Sequence, residues 1–168
     1  MKAGRRRAML TRGLCVAAVV VVLDQLSKAA VLAFFARDGL DDRTRVAPFF
    51  NLVLTYNRGM SFGLFNAAGK GGELDALVFS LVAVAIVAGL VWWLSRASSP
   101  LLAVAIGLIV GGAVGNVVDR MRLGAVVDFL DFQLGSWHWP AFNLADSAIC
   151  VGVAAMLLDG LLLQRQAS

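Results

Sequence analysis

Four long apolar runs constrain this chain more than any other feature of its sequence. They extend roughly over residues 14–36, 74–94, 101–118 and 142–163. At about 1.5 Å per helical residue, each covers much or all of a hydrocarbon core about 30 Å thick. Composition agrees: 60% of residues are hydrophobic, 15% are charged and the mean hydropathy is +0.80. Soluble domains carry nearer a quarter of charged residues. The reading is an all-α membrane protein of four transmembrane helices, expected to form one integral membrane domain over residues 1–168.

Charge sets the expected orientation. Five cations (Lys2, Arg5, Arg6, Arg7 and Arg12) crowd the first dozen residues with no acid among them. The remainder is close to balanced, with ten cations against eleven acids. A basic tip before an apolar run is an orientation signal that stays in the cytoplasm, so no nucleic-acid partner is expected. The first run is too long, and too interrupted by Asp24 and Lys28, to be a cleaved signal peptide; it is expected to be retained. The loop at residues 95–100 and the tail with Arg165 also carry cations without acids, whereas residues 37–75 and 120–141 mix both signs. Both termini are therefore expected in the cytoplasm and the two longer loops outside. Trp92 and Trp93 then mark the inner interface, and Trp137 and Trp139 the outer one.

The outer stretch 46–65 is rich in Phe, Val, Leu and Thr, and Asn57-Arg58-Gly59 interrupts it like a turn. It predicts a small extracytoplasmic β-hairpin or sheet between helices 1 and 2. In helix 3, Gly107, Gly111 and Gly115 recur every four residues as a smooth stripe for close helix packing. Asp119 is the next step of that stripe. Cys15 and Cys150 lie in apolar stretches and read as small packing residues. A single histidine, His138, excludes a multi-histidine metal site, and zinc would need more His or Cys than the chain contains.

Charges within or at the ends of spanning helices are costly and usually functional. Asp24 and Lys28 are four apart, on one helical face, and are expected to neutralise each other. Asp159, near the cytoplasmic end of helix 4, is expected to snorkel to the interface. That leaves Asp119, Asp128 and Asp146 together on the outer side. Each has an ordinary reading. Asp119 could pair with a nearby cation, and Asn143 with Asp146 three residues later is a common helix start. Asp128, within Val126-Val127-Asp128-Phe129, has no cation within four residues, so its purely structural reading is the weakest. A Ser–His–Asp triad would depend on His138, which sits between two tryptophans. A Ser–Lys dyad would depend on Lys28, whose neighbour Ser27 points elsewhere. What remains is two carboxylates sharing a proton, one activating water while the other polarises a carbonyl. An apolar setting favours that state, since it resists two adjacent charges. The alternative is a small non-enzymatic transporter or assembly factor with a proton relay, which would spread its acids through the bilayer.

Taken together, the segments resemble the lipoprotein signal peptidases, the bacterial signal peptidase II family. Five blocks match in order: Asp24-Gln25-Leu26-Ser27-Lys28, Asn57-Arg58-Gly59-Met60-Ser61-Phe62-Gly63, Gly115-Asn116-Val117-Val118-Asp119-Arg120, Val126-Val127-Asp128-Phe129 and Phe142-Asn143-Leu144-Ala145-Asp146. The resemblance implies an aspartic endopeptidase of the bacterial cytoplasmic membrane, with its active site near the extracytoplasmic face. Such enzymes cut prolipoproteins just before a diacylglyceryl-modified cysteine. It implies Asp128 and Asp146 as the catalytic pair, with Asn57, Asn116, Arg120 and Asn143 positioning substrate or aspartates. Asp119 would support the site, and Asp24 with Lys28 would hold the helices and hairpin. No cofactor or metal is expected; membrane lipids and the prolipoprotein are the expected partners of a monomer.

Overall fold

A computed structural model of the chain describes residues 2–37, 41–58 and 73–167. In chain order the elements are α1 (Lys2–Phe35), β1 (Arg43–Ala47), β2 (Phe50–Asn57), α2 (Glu73–Leu94), α3 (Pro100–Leu123), β3 (Val126–Leu134), β4 (Trp137–His138) and α4 (Leu144–Ala167). All four helices are long and apolar enough to cross a membrane.

Helix α3 lies at the centre. In lipid, burying apolar surface between helices gains little over facing lipid tails, so close backbone approach and polar contacts must hold the bundle together. The glycine stripe supplies that approach. A Cβ at Gly111 would lie 2.7 Å from the Ala17 carbonyl oxygen of α1, and one at Gly115 would lie 2.5 Å from Asp24 Oδ2. On the other side of α3, Gly112 meets Ala145 and Ile149 of α4. Leu94, Ala103 and Ile106 form the dry centre of the bundle towards the α2–α3 loop, with Met9 and Ala17 of α1 packed on them.

The helix ends differ from expectation in informative ways. Helix α3 runs past residue 118 to Leu123, where Gly124 in the left-handed conformation (φ 68°) donates its N–H to the Arg120 carbonyl. Asp119 and Arg120 are thus helical, in the last turns of α3. At its start, Ser99 caps α3 by accepting a hydrogen bond from Leu102 N at 2.9 Å. Its Oγ also donates to Asp159 Oδ1 of α4 at 2.5 Å. Asp159 is therefore buried against the cap of α3, not snorkelled as expected. Cys15 and Cys150 are exposed on the helix surface, and the expectation that they pack inside is corrected likewise.

The four strands form one antiparallel sheet in the order β1-β2-β3-β4. The β1–β2 hairpin reverses at Pro48-Phe49, and the expected turn at Asn57-Arg58-Gly59 starts at the end of β2 and runs out of the described residues. Proline presets the backbone angle that a turn needs, whereas Asn57 closes β2; Gly59 lies outside the described residues, as does the rest of that block to Gly63. The sheet also extends beyond the expected hairpin, because β3 and β4 come from the connection between α3 and α4, β3 pairing with β2 and β4 with β3. Phe129 on β3 packs on Val31 and Phe35, joining the sheet to α1.

Candidate active site

The geometry starts from a register irregularity. Leu52 pairs with Leu130, but the next pair is Thr55 with Asp128, followed at the strand end by Asn57 with Val126. Strand β2 thus spends one residue more than β3, a β-bulge. Because side chains alternate with period two, that extra residue turns Asn57 onto the face that carries Asp128. Asn57 Nδ2 then donates to Asp128 Oδ2 at 3.0 Å.

The other oxygen of Asp128 accepts from Asn143 Nδ2 at 2.7 Å. Asn143 is wholly buried and precedes the first residue of α4. Its Oδ1 accepts from Asp146 N at 2.9 Å, while Asp146 Oδ2 accepts from Asn143 N at 3.2 Å. This is a reciprocal capping box. The ordinary helix-start reading of Asn143 and Asp146 therefore holds, and it does not exhaust either residue. Asp146 Oδ1 also accepts from Asn116 Nδ2 of α3 at 2.8 Å, and Asn143 Nδ2 reaches Asn116 Oδ1 at 3.2 Å. Two amides thus join the carboxylate of β3 to that of α4. Burial, reinforced by the nearby Asp146, raises the Asp128 carboxyl to about 6 against the pull of Asn57, Asn143 and Lys28.

Behind this pair sits a charged cluster. Lys28 Nζ lies 2.8 Å from Asp24 Oδ2 and 2.7 Å from Asp119 Oδ2, all three residues being buried. The same carboxylates hold backbone: Asp24 Oδ1 accepts from Ala145 N at 3.0 Å, and Asp119 Oδ2 accepts from Val127 N at 3.1 Å. Asp24 thereby ties α1 to the start of α4, and Asp119 ties α3 to β3.

A family model described as signal peptidase (SPase) II matches residues 16–162. A lipoprotein signal peptidase of Paraburkholderia phymatum is 47% identical over 147 residues, covering 87% of this chain and 85% of that one. One from Burkholderia thailandensis is 46% identical over 144 residues, covering 85% and 83%. A solved bacterial membrane enzyme superposes with a TM-score of 0.75 at 29% identity, over 93% of this chain and 91% of that one.

The chain belongs to the signal peptidase II family.

Membership, with four membrane-length helices, makes it a multi-pass membrane protease of signal-peptide processing. Within this family member, the residues singled out from sequence fall into two connected groups. Asp128, Asp146, Asn57, Asn116 and Asn143 form the amide-linked set, and Asp24, Lys28 and Asp119 the charged set. Lys28 joins the two by donating to Asn116 Oδ1 at 3.1 Å. Arg120 stands at the edge. Its Nη1 reaches the Asn116 carbonyl at 3.4 Å, its guanidinium lies 5.9 Å from the Phe79 ring centre, and among the described residues its buried Nε has no partner.

One contributor was not singled out from sequence. Gln25 Nε2 donates to Asp119 Oδ1 at 2.8 Å and lies 3.2 Å from Asp24 Oδ2, bridging both acids beside Lys28. The signal was present in its spacing, since residues 25 and 28 are three apart and share a helical face. Ser27 donates to the Asp24 carbonyl at 2.7 Å, away from Lys28 Nζ as expected. His138 holds Asp131 at 3.0 Å within the sheet. Among the described residues, no three His, Cys, Asp or Glu side chains converge as metal ligands would.

Proposed function

We propose that this chain is an aspartic endopeptidase of the bacterial inner membrane that removes signal peptides from diacylglyceryl-modified prolipoproteins, cutting just before the lipidated cysteine. The observation that carries the reading is the pair Asp128 and Asp146, whose hydrogen bonds come from amides and which Asn143 and Asn116 link into one unit. The family and the names of its relatives supply the substrate class. Asp128 is buried and Asp146 half-buried, so water can reach the pair at the edge of a dry site.

The chemistry is that of a shared proton. Asp146, at a helix start where the macrodipole favours negative charge, is the ionised member. It takes a proton from water as the water oxygen attacks the scissile carbonyl carbon. Asp128, protonated, gives its proton to the carbonyl oxygen, forming a tetrahedral diol. On collapse the C–N bond breaks, Asp146 passes its proton to the leaving amine of the cysteine, and Asp128 regains one from the diol. The two titrate as a coupled pair. Binding energy from the substrate's acyl chains holds the peptide at the pair. The enzyme acts as a monomer in this reading.

In this reading both termini lie in the cytoplasm, and the sheet and acid pair lie near the outer face. A transporter with a proton relay is disfavoured because its acids would continue across the bilayer. Here the acid near the other end, Asp159, is held by Ser99.

The test is incubation of the purified chain with a lipidated prolipoprotein. Release of the signal peptide, with little turnover of the unlipidated precursor, is the expected outcome. Equal turnover of the two would remove the lipid requirement, and no cleavage of either would end the peptidase reading. Cysteine labelling after Leu40 and after Gly135 is expected to mark both positions as external.

A further inference from the structure

Lys28 is buried in the span of α1, and its surroundings exceed what an Asp24 counter-ion requires. An ammonium has three N–H donors and no acceptor. Lys28 Nζ has three acceptors around it: Asp24 Oδ2 at 2.8 Å, Asp119 Oδ2 at 2.7 Å and Asn116 Oδ1 at 3.1 Å. The third is the informative one. Asn116 Oδ1 faces two groups that only donate there, the ammonium and Asn143 Nδ2. An amide so placed cannot flip without turning its own N–H donors onto a cation. Its Nδ2 is thereby committed to Asp146 Oδ1. Asn143 Nδ2 shares that oxygen and donates to Asp128 Oδ1, its amide held the same way round by the bond from Asp146 N to its Oδ1.

We propose that Lys28 is a positioning residue for the reaction: through Asn116 it orients the donors to Asp146 and Asp128, and its charge sets the pH range in which that pair holds its single proton. The proposal rests on the reading of Asp128 and Asp146 as the catalytic pair. The charges that face the pair are Asp24 and Lys28 from α1, Asp119 and Arg120 from α3, and the two carboxylates themselves on β3 and α4. Of the charged cluster, Lys28 acts directly on Asp128, whereas Asp119 is not among the groups that perturb it. Loss of the cation makes a nearby carboxylate hold its proton more tightly. The Asp128 carboxyl is already pushed to about 6 by burial, and Lys28 is among the groups that pull it back.

A structural role alone predicts something different, and the two can be separated. Lys28→Met leaves Asp24 and Asp119 facing each other and can fail to fold. Lys28→Met/Asp119→Asn removes one charge of each sign, keeps the cluster at one negative charge, and leaves an amide oxygen at position 119 able to accept from Val127 N. Full-length protein in detergent is assayed on a lipidated prolipoprotein, with kcat and KM measured across pH. The double variant is expected to fold, to lose about 10- to 100-fold in kcat with KM little changed, and to have its pH profile displaced upwards by about one unit. Asp119→Asn alone retains the ammonium, and its profile is expected to stay in place or move down. A double variant with the wild-type kcat and pH profile would overturn the proposal, reducing Lys28 to a counter-ion while the dyad reading stands. Cleavage by Asp128→Asn at the wild-type rate would instead remove the dyad itself.

Discussion

Two pairs of acids lie back to back in this molecule, and only one of them is ion-paired. Asp24 and Asp119 share one buried ammonium, with the Gln25 amide beside it, and also accept from backbone N–H groups, Asp24 from α4 and Asp119 from β3. Asp128 and Asp146 accept from the side-chain amides of Asn57, Asn143 and Asn116 and from one backbone N–H. A buried cation shared by carboxylates of two helices makes each of them a tether. An amide orients a carboxylate and leaves its protonation open. The same residue type is thus a joint in one place and, in the proposed mechanism, a reagent a short distance away.

The sharpest way to break the comparison is to remove the exchangeable proton. Asp128→Asn and Asp146→Asn are each expected to lower cleavage on the order of 10³-fold or more, in protein that still folds and inserts. The double variant should be little worse than either single one, because the pair acts as a unit. Near-normal cleavage by either single variant would refute the distinction.

The tether side should fail differently. Asp24→Ala leaves the Lys28–Asp119 pair intact but strips Ala145 N of its acceptor and the ammonium of one of its two counter-charges. Breaking a buried ion pair costs about 3–5 kcal/mol. The expected result is a large fall in thermal stability in detergent, with the remaining folded fraction still cleaving. A variant as stable as wild type but inactive would move Asp24 into the reagent class.

The protonation of Asp128 gives a third, smaller test, with a definite sign. Its folded-state value of about 6 lies above the ordinary 3.8. The folded protein therefore holds this proton more tightly than the unfolded chain does. Its contribution to stability is complete below the ordinary carboxylate value and is lost as pH rises through about 6. Wild type should lose about 2 kcal/mol more than Asp128→Asn between about pH 4 and pH 7. Identical pH slopes in denaturation experiments would contradict the assignment. Cleavage should fall on the same alkaline side as the pair gives up its last proton.

The smallest effect belongs to the far end of the bundle. Ser99→Ala removes a helix cap and the hydroxyl that holds Asp159, costing about 1–2 kcal/mol. Cleavage by the folded protein should be unchanged. A selective loss of activity would mean that the two ends are coupled.

Much of the architecture is legible along the chain because lipid enforces local rules. Long apolar runs must be helices, a glycine every four residues must be a packing face, and Asp24 with Lys28 four residues on must share a side. The capping of Asp146 by Asn143 is equally local. Where expectation and structure part, the deciding partner is distant. Asp159 is expected to reach for water, and Ser99, 60 residues earlier, holds it instead. A hairpin confined to residues 46–65 omits β3, whose pairing with β2 joins segments about 70 to 80 residues apart.

By itself, then, the sequence determined the four spans, their packing stripe and the set of acids, since hydropathy and helical periodicity act over a few neighbouring residues. Only the tertiary structure decided which acids are tethers and which form the amide-linked pair. That division depends on one bulged residue in β2, which turns Asn57 towards Asp128, and on Lys28 meeting Asn116 across two helices. Both are matters of register and packing between elements, and pairings of that kind leave no periodic trace in a single segment.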